Sequence, residues 1–176
     1  YDPDDFPPAS PWSPPEDRVC IVHVGSFYGE YTPACLRSGL ELARRRSPDL
    51  LRQVRLVFVG GCPVRFDDLP GLEVEVLPRL PHSEALAWLR RAHALLIVFP
   101  NLLGDYAIPG KLFECLAARR PVLGVVPPEG ATARILRQAR VGFVADPDRP
   151  DQIVQSLEDC LRAARNPDAF RPDEDV

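Results

Sequence analysis

Six short apolar runs, separated by stretches whose apolar residues recur every three or four positions, constrain the fold of this 176-residue chain most tightly. The runs are 19–25 (VCIVHVG), 54–60 (VRLVFVG), 72–77 (LEVEVL), 94–99 (ALLIVF), 121–126 (PVLGVV) and 141–145 (VGFVA). Dense in Val and Ile, they have the composition that strands covered on both faces require. Helix periodicity fills 32–46, 83–93, 109–118, 129–140 and 150–165. The first of these opens with Thr32-Pro33, an N-cap followed by Pro at the first helical position, and spaces Leu36, Leu40 and Ala43 along one face. The second places Leu86, Leu89 and His93 or Ala92 in the same way. Strand–helix alternation with short links predicts a Rossmann-like three-layer α/β/α domain over 18–165, built on a parallel sheet of about six strands. Only 60–71 (GGCPVRFDDLPG) breaks the pattern, and it predicts a loop or one helical turn in place of a crossover helix.

The two ends differ from this middle. Residues 1–17 hold six of the 21 prolines and five acids with no base, which reads as a Pro-rich link or surface arm with Phe6 and Trp12 as anchors. Residues 166–176 carry four acids against one Arg and read as an acidic tail. Of the 21 bases and 25 acids, 20 bases and 16 acids therefore fall in 18–165, a net of +4 against −4 for the whole chain. That mild balance suits a small anionic ligand and argues against nucleic acid as a partner. The five cysteines lack metal-ligand or disulfide spacing and read as small buried thiols of a reducing, cytoplasmic compartment. No apolar run reaches the ~18 residues of a spanning helix, and no signal-peptide pattern is present. There is no methionine, even at position 1, so the sequence reads as a piece of something longer.

In such a sheet, ligands bind beyond the carboxyl ends of the strands, here the loops 25–32, 60–71, 78–83, 100–109 and 127–130. Gly25-Ser26-Phe27-Tyr28-Gly29 is neither a dinucleotide fingerprint nor a P-loop, and Gly25 reads equally as a plain turn glycine or as a point of close ligand approach. The segment Asp105 to Glu114 (DYAIPGKLFE) carries more information. A helix starting at Pro109 would offer unpaired N–H groups to a phosphate, with Gly110, Lys111 and Glu114 on one face and Leu112, Phe113, Leu116 and Ala117 packed on the sheet. Glu114 would then lie roughly 7–8 Å along the helix from its start, about the distance from a diphosphate to the ribose hydroxyls. Lys111 is the only lysine among 21 bases. His23 reads as a core or strand-end histidine, His82 as a helix cap and His93 as packing on its helix, while Arg44–Arg46 complement a helix C-terminus. No Ser-His-Asp set or paired-carboxylate arrangement stands out.

The run IPGKLFECLAARRPVLGVVPPEG (108–130) resembles the nucleotide-sugar-binding helix and following strand of the group 1 (retaining, GT-B type) glycosyltransferases. It is nearest to the bacterial branch of polysaccharide and lipid-linked sugar assembly, with its P-[SG]-K-L-F-E-Y-L-A-x-x-x-P-V pattern. HVGSFYG, RLVFVGG, LPRLPHSEALAWLRRAHALLIV and VGFVADPDRPDQIVQSL follow the family in order and spacing, and YDPDDF resembles its interdomain link. The resemblance implies the C-terminal, donor-binding half of a GT-B fold, inactive without an N-terminal half that would hold the acceptor sugar or lipid and any membrane-peripheral attachment. Glu114 would hold the donor ribose; Ile108, Pro109, Gly110 and Lys111 would face the diphosphate, with Gly25 and Ser26 beside it, and Arg79 and Leu80 would contact the base. Two positions depart from the family: Tyr106 stands where its first motif Glu would be, with Asp105 one place off, and Tyr31 stands near its usual basic residue. The expected substrate is a UDP- or GDP-linked sugar, without cofactor or metal. A non-catalytic interaction module with a degenerate nucleotide fold, or half of a sugar-nucleotide epimerase, are the alternatives.

Overall fold

The computed structural model describes residues 17–103 and 106–173. The link at 1–16 with Phe6 and Trp12, Asp105 and the last three residues lie outside the described part. The element order is β1 (Val19–Val24), α1 (Ala34–Arg46), α2 (Pro48–Leu51), β2 (Val54–Val59), β3 (Glu73–Leu77), α3 (His82–Arg91), β4 (Ala94–Val98), α4 (Lys111–Ala117), β5 (Val122–Val125), α5 (Ala131–Gln138), β6 (Gly142–Ala145) and α6 (Pro150–Arg165). The strands form one sheet in the order β3-β2-β1-β4-β5-β6, every neighbouring pair parallel.

This order reverses direction between β1 and β4. From β1 the chain moves outward to β2 and β3, then returns to β4 and moves out the other way, so the crossover loops part above these two strands. That parting is where an open α/β sheet leaves a crevice for ligand.

Each sheet face carries its own core. One is built from Leu36, Leu40 and Ala43 of α1, Ile153, Leu157 and Leu161 of α6, and Ile21, Leu56, Phe58 and Leu96 of the strands. The other packs Leu86 and Leu89 of α3, Leu112 of α4 and Leu136 of α5 against Val22, Val57, Leu95 and Ile97. Alternate residues of each buried strand serve opposite faces, which is why the runs are apolar throughout. In α1, Gly39 lets α6 approach so closely that an added Cβ would sit 2.4 Å from Ile153 Cγ2 and 2.7 Å from its Cβ. Gly39→Ala gains about 1 kcal/mol of helix propensity, but overpacking costs about 1–3 kcal/mol. A net loss is expected, read as a lower urea midpoint at unchanged slope; a stability gain would contradict the α1–α6 packing.

Several expectations need correction. Pro33, not Thr32, is the residue preceding α1, and no side chain caps the helix. The 72–77 run is an edge strand rather than one covered on both faces: Glu73 and Val76 are exposed, and Arg55 of β2 pairs with Glu73 and Glu75 at 3.1 and 2.6 Å. Charge on an edge strand opposes further strand pairing. The 60–71 connection is a loop, as expected, and buries Phe66 and Leu69 against the α1/α6 core. His93 lies just beyond the end of α3. Its N–H donates to the Cys20 carbonyl at 3.0 Å and its Nδ1 accepts from the Cys20 N–H at 3.0 Å, stitching the start of β4 to β1.

Candidate functional site

A cavity of about 520 Å³ opens above the parting of β1 and β4. Its floor is Val24 and Gly25 at the end of β1 and Val98 and Phe99 at the end of β4. Ser26, Phe27, Tyr28 and Tyr31 of the loop after β1 form one wall; Ala107 to Lys111 and Glu114 form the other. Seven of the ten residues singled out in the sequence thus line one space: Gly25, Ser26, Ile108, Pro109, Gly110, Lys111 and Glu114. Arg79 and Leu80 line an adjoining cavity of about 240 Å³ that shares Gly25, Ser26 and Tyr28 with the first and also holds His82. Tyr106 is not brought in; it is 91% exposed and lines neither space.

The loop after β1 is shaped by its glycines. Gly25 has φ +122°, which L side chains rarely adopt, and a Cβ on it would lie 3.6 Å from Lys111 Nζ. Gly60, at the end of β2 with φ +113°, packs on the Gly25 backbone so tightly that a Cβ would meet the Gly25 carbonyl oxygen at 2.8 Å. Gly60 therefore holds the loop in place, a role hidden in the sequence because it depends on two strands lying side by side.

The 109–118 expectation changes in two respects. The helix starts at Lys111, two residues after Pro109, and is only seven residues long, so few aligned peptide dipoles back its N-terminus. Positive charge at the site comes instead from Lys111, the only Lys or Arg lining the main cavity among the described residues. The packing face also differs: Leu112 and Cys115 are buried, while Phe113 is 48% exposed.

Lys111 is largely withdrawn from water, and burial pushes its ammonium down to about 8, with Cys115 and Glu114 nearby acting the other way. Its Nζ contacts Nε2 of His23. His23 is 1% exposed, stacked on Phe27 at 4.4 Å between ring centroids and tilted against Phe58 at 5.9 Å. Burial and the adjacent Lys111 charge hold His23 well below the usual imidazole range, so it is neutral at pH 7. One turn into α4, the partly buried Glu114 faces the same cavity, and His82 Nε2 approaches Glu114 Oε1 at 3.8 Å. His82 has no side-chain capping bond; it borders the carboxylate instead. Together the groups offer one cation, one carboxylate and an open glycine backbone in a mostly apolar, aromatic-rimmed cleft. That combination suits a ligand with an anionic centre next to vicinal hydroxyls.

Among the described residues, no group of three or more His, Cys, Asp or Glu is placed to hold a metal ion, and no helix is long and apolar enough to cross a membrane.

Residues 19–163 match the profile of a family described as "Glycosyl transferases group 1". No curated protein matches the chain in sequence. Among solved structures, the UDP-forming α,α-trehalose-phosphate synthase from Burkholderia vietnamiensis is similar in fold, with TM-score 0.62, 14% identity, and coverage of 85% of this chain and 39% of that one. A structure described as "Trehalose-6-phosphate from E. coli bound with UDP-2-fluoro glucose" is similar with TM-score 0.62, 13% identity, and 84% and 38% coverage. The C-terminal domain of a group 1 glycosyl transferase (LpcC) from Francisella tularensis is similar over 88% of this chain and 89% of that one, with TM-score 0.56 and 14% identity. The chain thus spans about two fifths of the length of the first two proteins and nearly all of the third, a C-terminal domain. All three share the fold that the sequence predicts.

Proposed function

Because the chain belongs to the group 1 glycosyl transferases, we propose that it is the donor-binding part of a sugar transferase. The observation that carries this reading is the meeting of Gly25, Lys111 and Glu114 in one cavity above the β1/β4 parting. The diphosphate lies between Lys111 and the Gly25–Ser26 backbone, the ribose hydroxyls donate to the Glu114 carboxylate, and the base occupies the adjoining space beside Arg79 and Leu80. UDP is the first choice of nucleotide, since the Burkholderia synthase of similar fold is UDP-forming.

In transfer, the bond from the sugar's anomeric carbon to the diphosphate oxygen breaks, the acceptor oxygen bonds to that carbon, and the acceptor proton departs. Negative charge grows on the leaving diphosphate. A preplaced ammonium in a cleft of low water content stabilises that charge without reorganisation. With Lys111 in this role, donor binding needs no metal ion. The acceptor is held by chain beyond the described residues, so this domain alone binds donor and turns nothing over.

Calorimetry with UDP, GDP and ADP tests this. Heat is expected with at least one, unchanged by EDTA. Glu114→Ala is expected to weaken the nucleotide by about 10- to 150-fold, the worth of a hydrogen bond to a charged group, without weakening inorganic pyrophosphate. No heat from any of the three nucleotides with folded protein refutes the reading. Nucleotide binding indifferent to Glu114→Ala favours a non-catalytic module, a reading that the exposed Tyr106 at the first motif position also suits.

A further inference from the structure

We propose that His23 is a positioning residue for Lys111: its Nε2 holds the Lys111 Nζ beside Gly25, at the place where an incoming diphosphate must meet it. The ligand in this statement rests on the donor-site reading above; the pairing itself does not.

The pairing joins the two layers of the fold. His23 is on β1 and points into the α1/α6 side, among Phe27, Phe58 and the rest of that core, while Lys111 opens α4 on the opposite side. Only at the strand ends, above the β1/β4 parting, can side chains from the two layers touch. The two residues are 88 positions apart in the chain.

The imidazole's surroundings otherwise favour a hydrocarbon. Its ring is 1% exposed and stacked on Phe27, and its Nδ1 is buried without a hydrogen-bond partner among the described residues. A leucine or phenylalanine there would leave no nitrogen unpaired. The presence of His23 is therefore explained by its other nitrogen, which takes the only lysine of the chain as partner. Because a lysine ammonium can only donate, Nε2 is the acceptor and the ring proton resides on Nδ1. The stack fixes the ring, the ring fixes the ammonium, and the long lysine stem gives up its rotamer freedom before ligand arrives.

The other groups around Lys111 do not duplicate this. Glu114 and Cys115 are on its own helix; Cys115 is buried, and burial pushes its thiol up to about 12. Tyr28 and Tyr31 line the cavity from the loop after β1, and His82 reaches Glu114 at 3.8 Å. His23 is the side chain in hydrogen-bond contact with Nζ.

A chain with one lysine gives a direct readout. Labelled with 13C-lysine, the protein has a single Cε signal, whose shift followed from pH 6 to 11 reports Lys111 alone. His23→Leu removes the acceptor and is expected to lower the titration midpoint by about one pH unit or more, as loss of a hydrogen bond to the charged form requires. His23→Gln, which retains an acceptor, is expected to recover more than half of the difference. Inorganic pyrophosphate binding is expected to weaken by about 3- to 10-fold in His23→Leu and to be largely restored in His23→Gln. An unchanged Lys111 midpoint in folded His23→Leu overturns the proposal, whatever happens to stability. A midpoint that moves while wild-type protein binds no pyrophosphate supports the pairing and instead overturns the donor-site reading. Should His23→Leu not fold, the ring 15N shifts of His23 are compared between wild type and Lys111→Met. A hydrogen-bonded, unprotonated Nε2 that changes in the variant is expected; identical spectra overturn the pairing.

Discussion

Lys111→Met is expected to weaken UDP or GDP binding by about 10- to 150-fold, the worth of a charge-assisted hydrogen bond to phosphate. Uridine or guanosine, which lack the diphosphate, should bind both proteins alike. The pH dependence follows from burial. Lys111 titrates at about 8 against an ordinary 10.5, so wild-type affinity for a diphosphate should decline as pH rises through that value, while the weaker binding of Lys111→Met stays flat. Stability carries the opposite sign. Between about 8 and 10.5 the unfolded chain binds more protons than the folded one, so folding becomes more favourable as pH rises across that window. Below it, the buried ammonium is a constant cost. Lys111→Met should therefore be the more stable protein at pH 7, by a margin that shrinks between pH 8 and 10.5 in denaturant titrations. A variant that binds diphosphate as tightly as wild type would remove the cation from the site.

Phe58→Ala is expected to have the largest effect on the fold among single changes near the site. The ring is fully buried on β2 and touches three other rings, His23 at 5.9 Å, Phe27 at 6.2 Å and Phe66 at 5.7 Å between centroids. Truncating a buried Phe costs about 3–5 kcal/mol. For a domain of this length, that corresponds to a fall in melting temperature of roughly 2–4 °C per kcal/mol. Because the same ring supports His23 and Phe27, pyrophosphate affinity should fall as well, in protein still folded at low temperature. Exposed Arg44→Ala is the control and should lie within about 0.5 kcal/mol of wild type. A small cost for Phe58→Ala would mean that the aromatic cluster is not the support on which the site stands.

These two residues show how unevenly the sequence reports on the molecule. Phe58 lies in an apolar run that announces a buried strand, and the same logic placed all six strands within a residue or two of their observed ends. It was blind to sheet position, so the alternating Glu73 and Glu75 did not mark β3 as the edge. Proline misled at two helix starts. Pro33 and Pro109 have a backbone angle suited to a first turn, yet α1 and α4 begin after them, at Ala34 and Lys111. Local motif carried the cavity walls, because Gly25, Lys111 and Glu114 each sit at a strand end or helix start that topology brings together. His23 was hidden for the opposite reason. A histidine inside an apolar run has no local feature that separates a packed ring from one paired with a residue 88 positions away. Gly60 was missed likewise, since its role is to leave room for the backbone of a neighbouring strand. Tyr106, at the position of the family's first motif Glu, is exposed and lines neither cavity.

A crystal structure of the protein with UDP or GDP bound tests the central claim most directly. Density is expected above the ends of β1 and β4, with phosphate oxygens in hydrogen-bond reach of Lys111 Nζ and the Gly25–Ser26 backbone, and ribose hydroxyls on the Glu114 carboxylate. Nucleotide seated on another surface, or a β1/β4 cleft still empty at millimolar nucleotide, would contradict it.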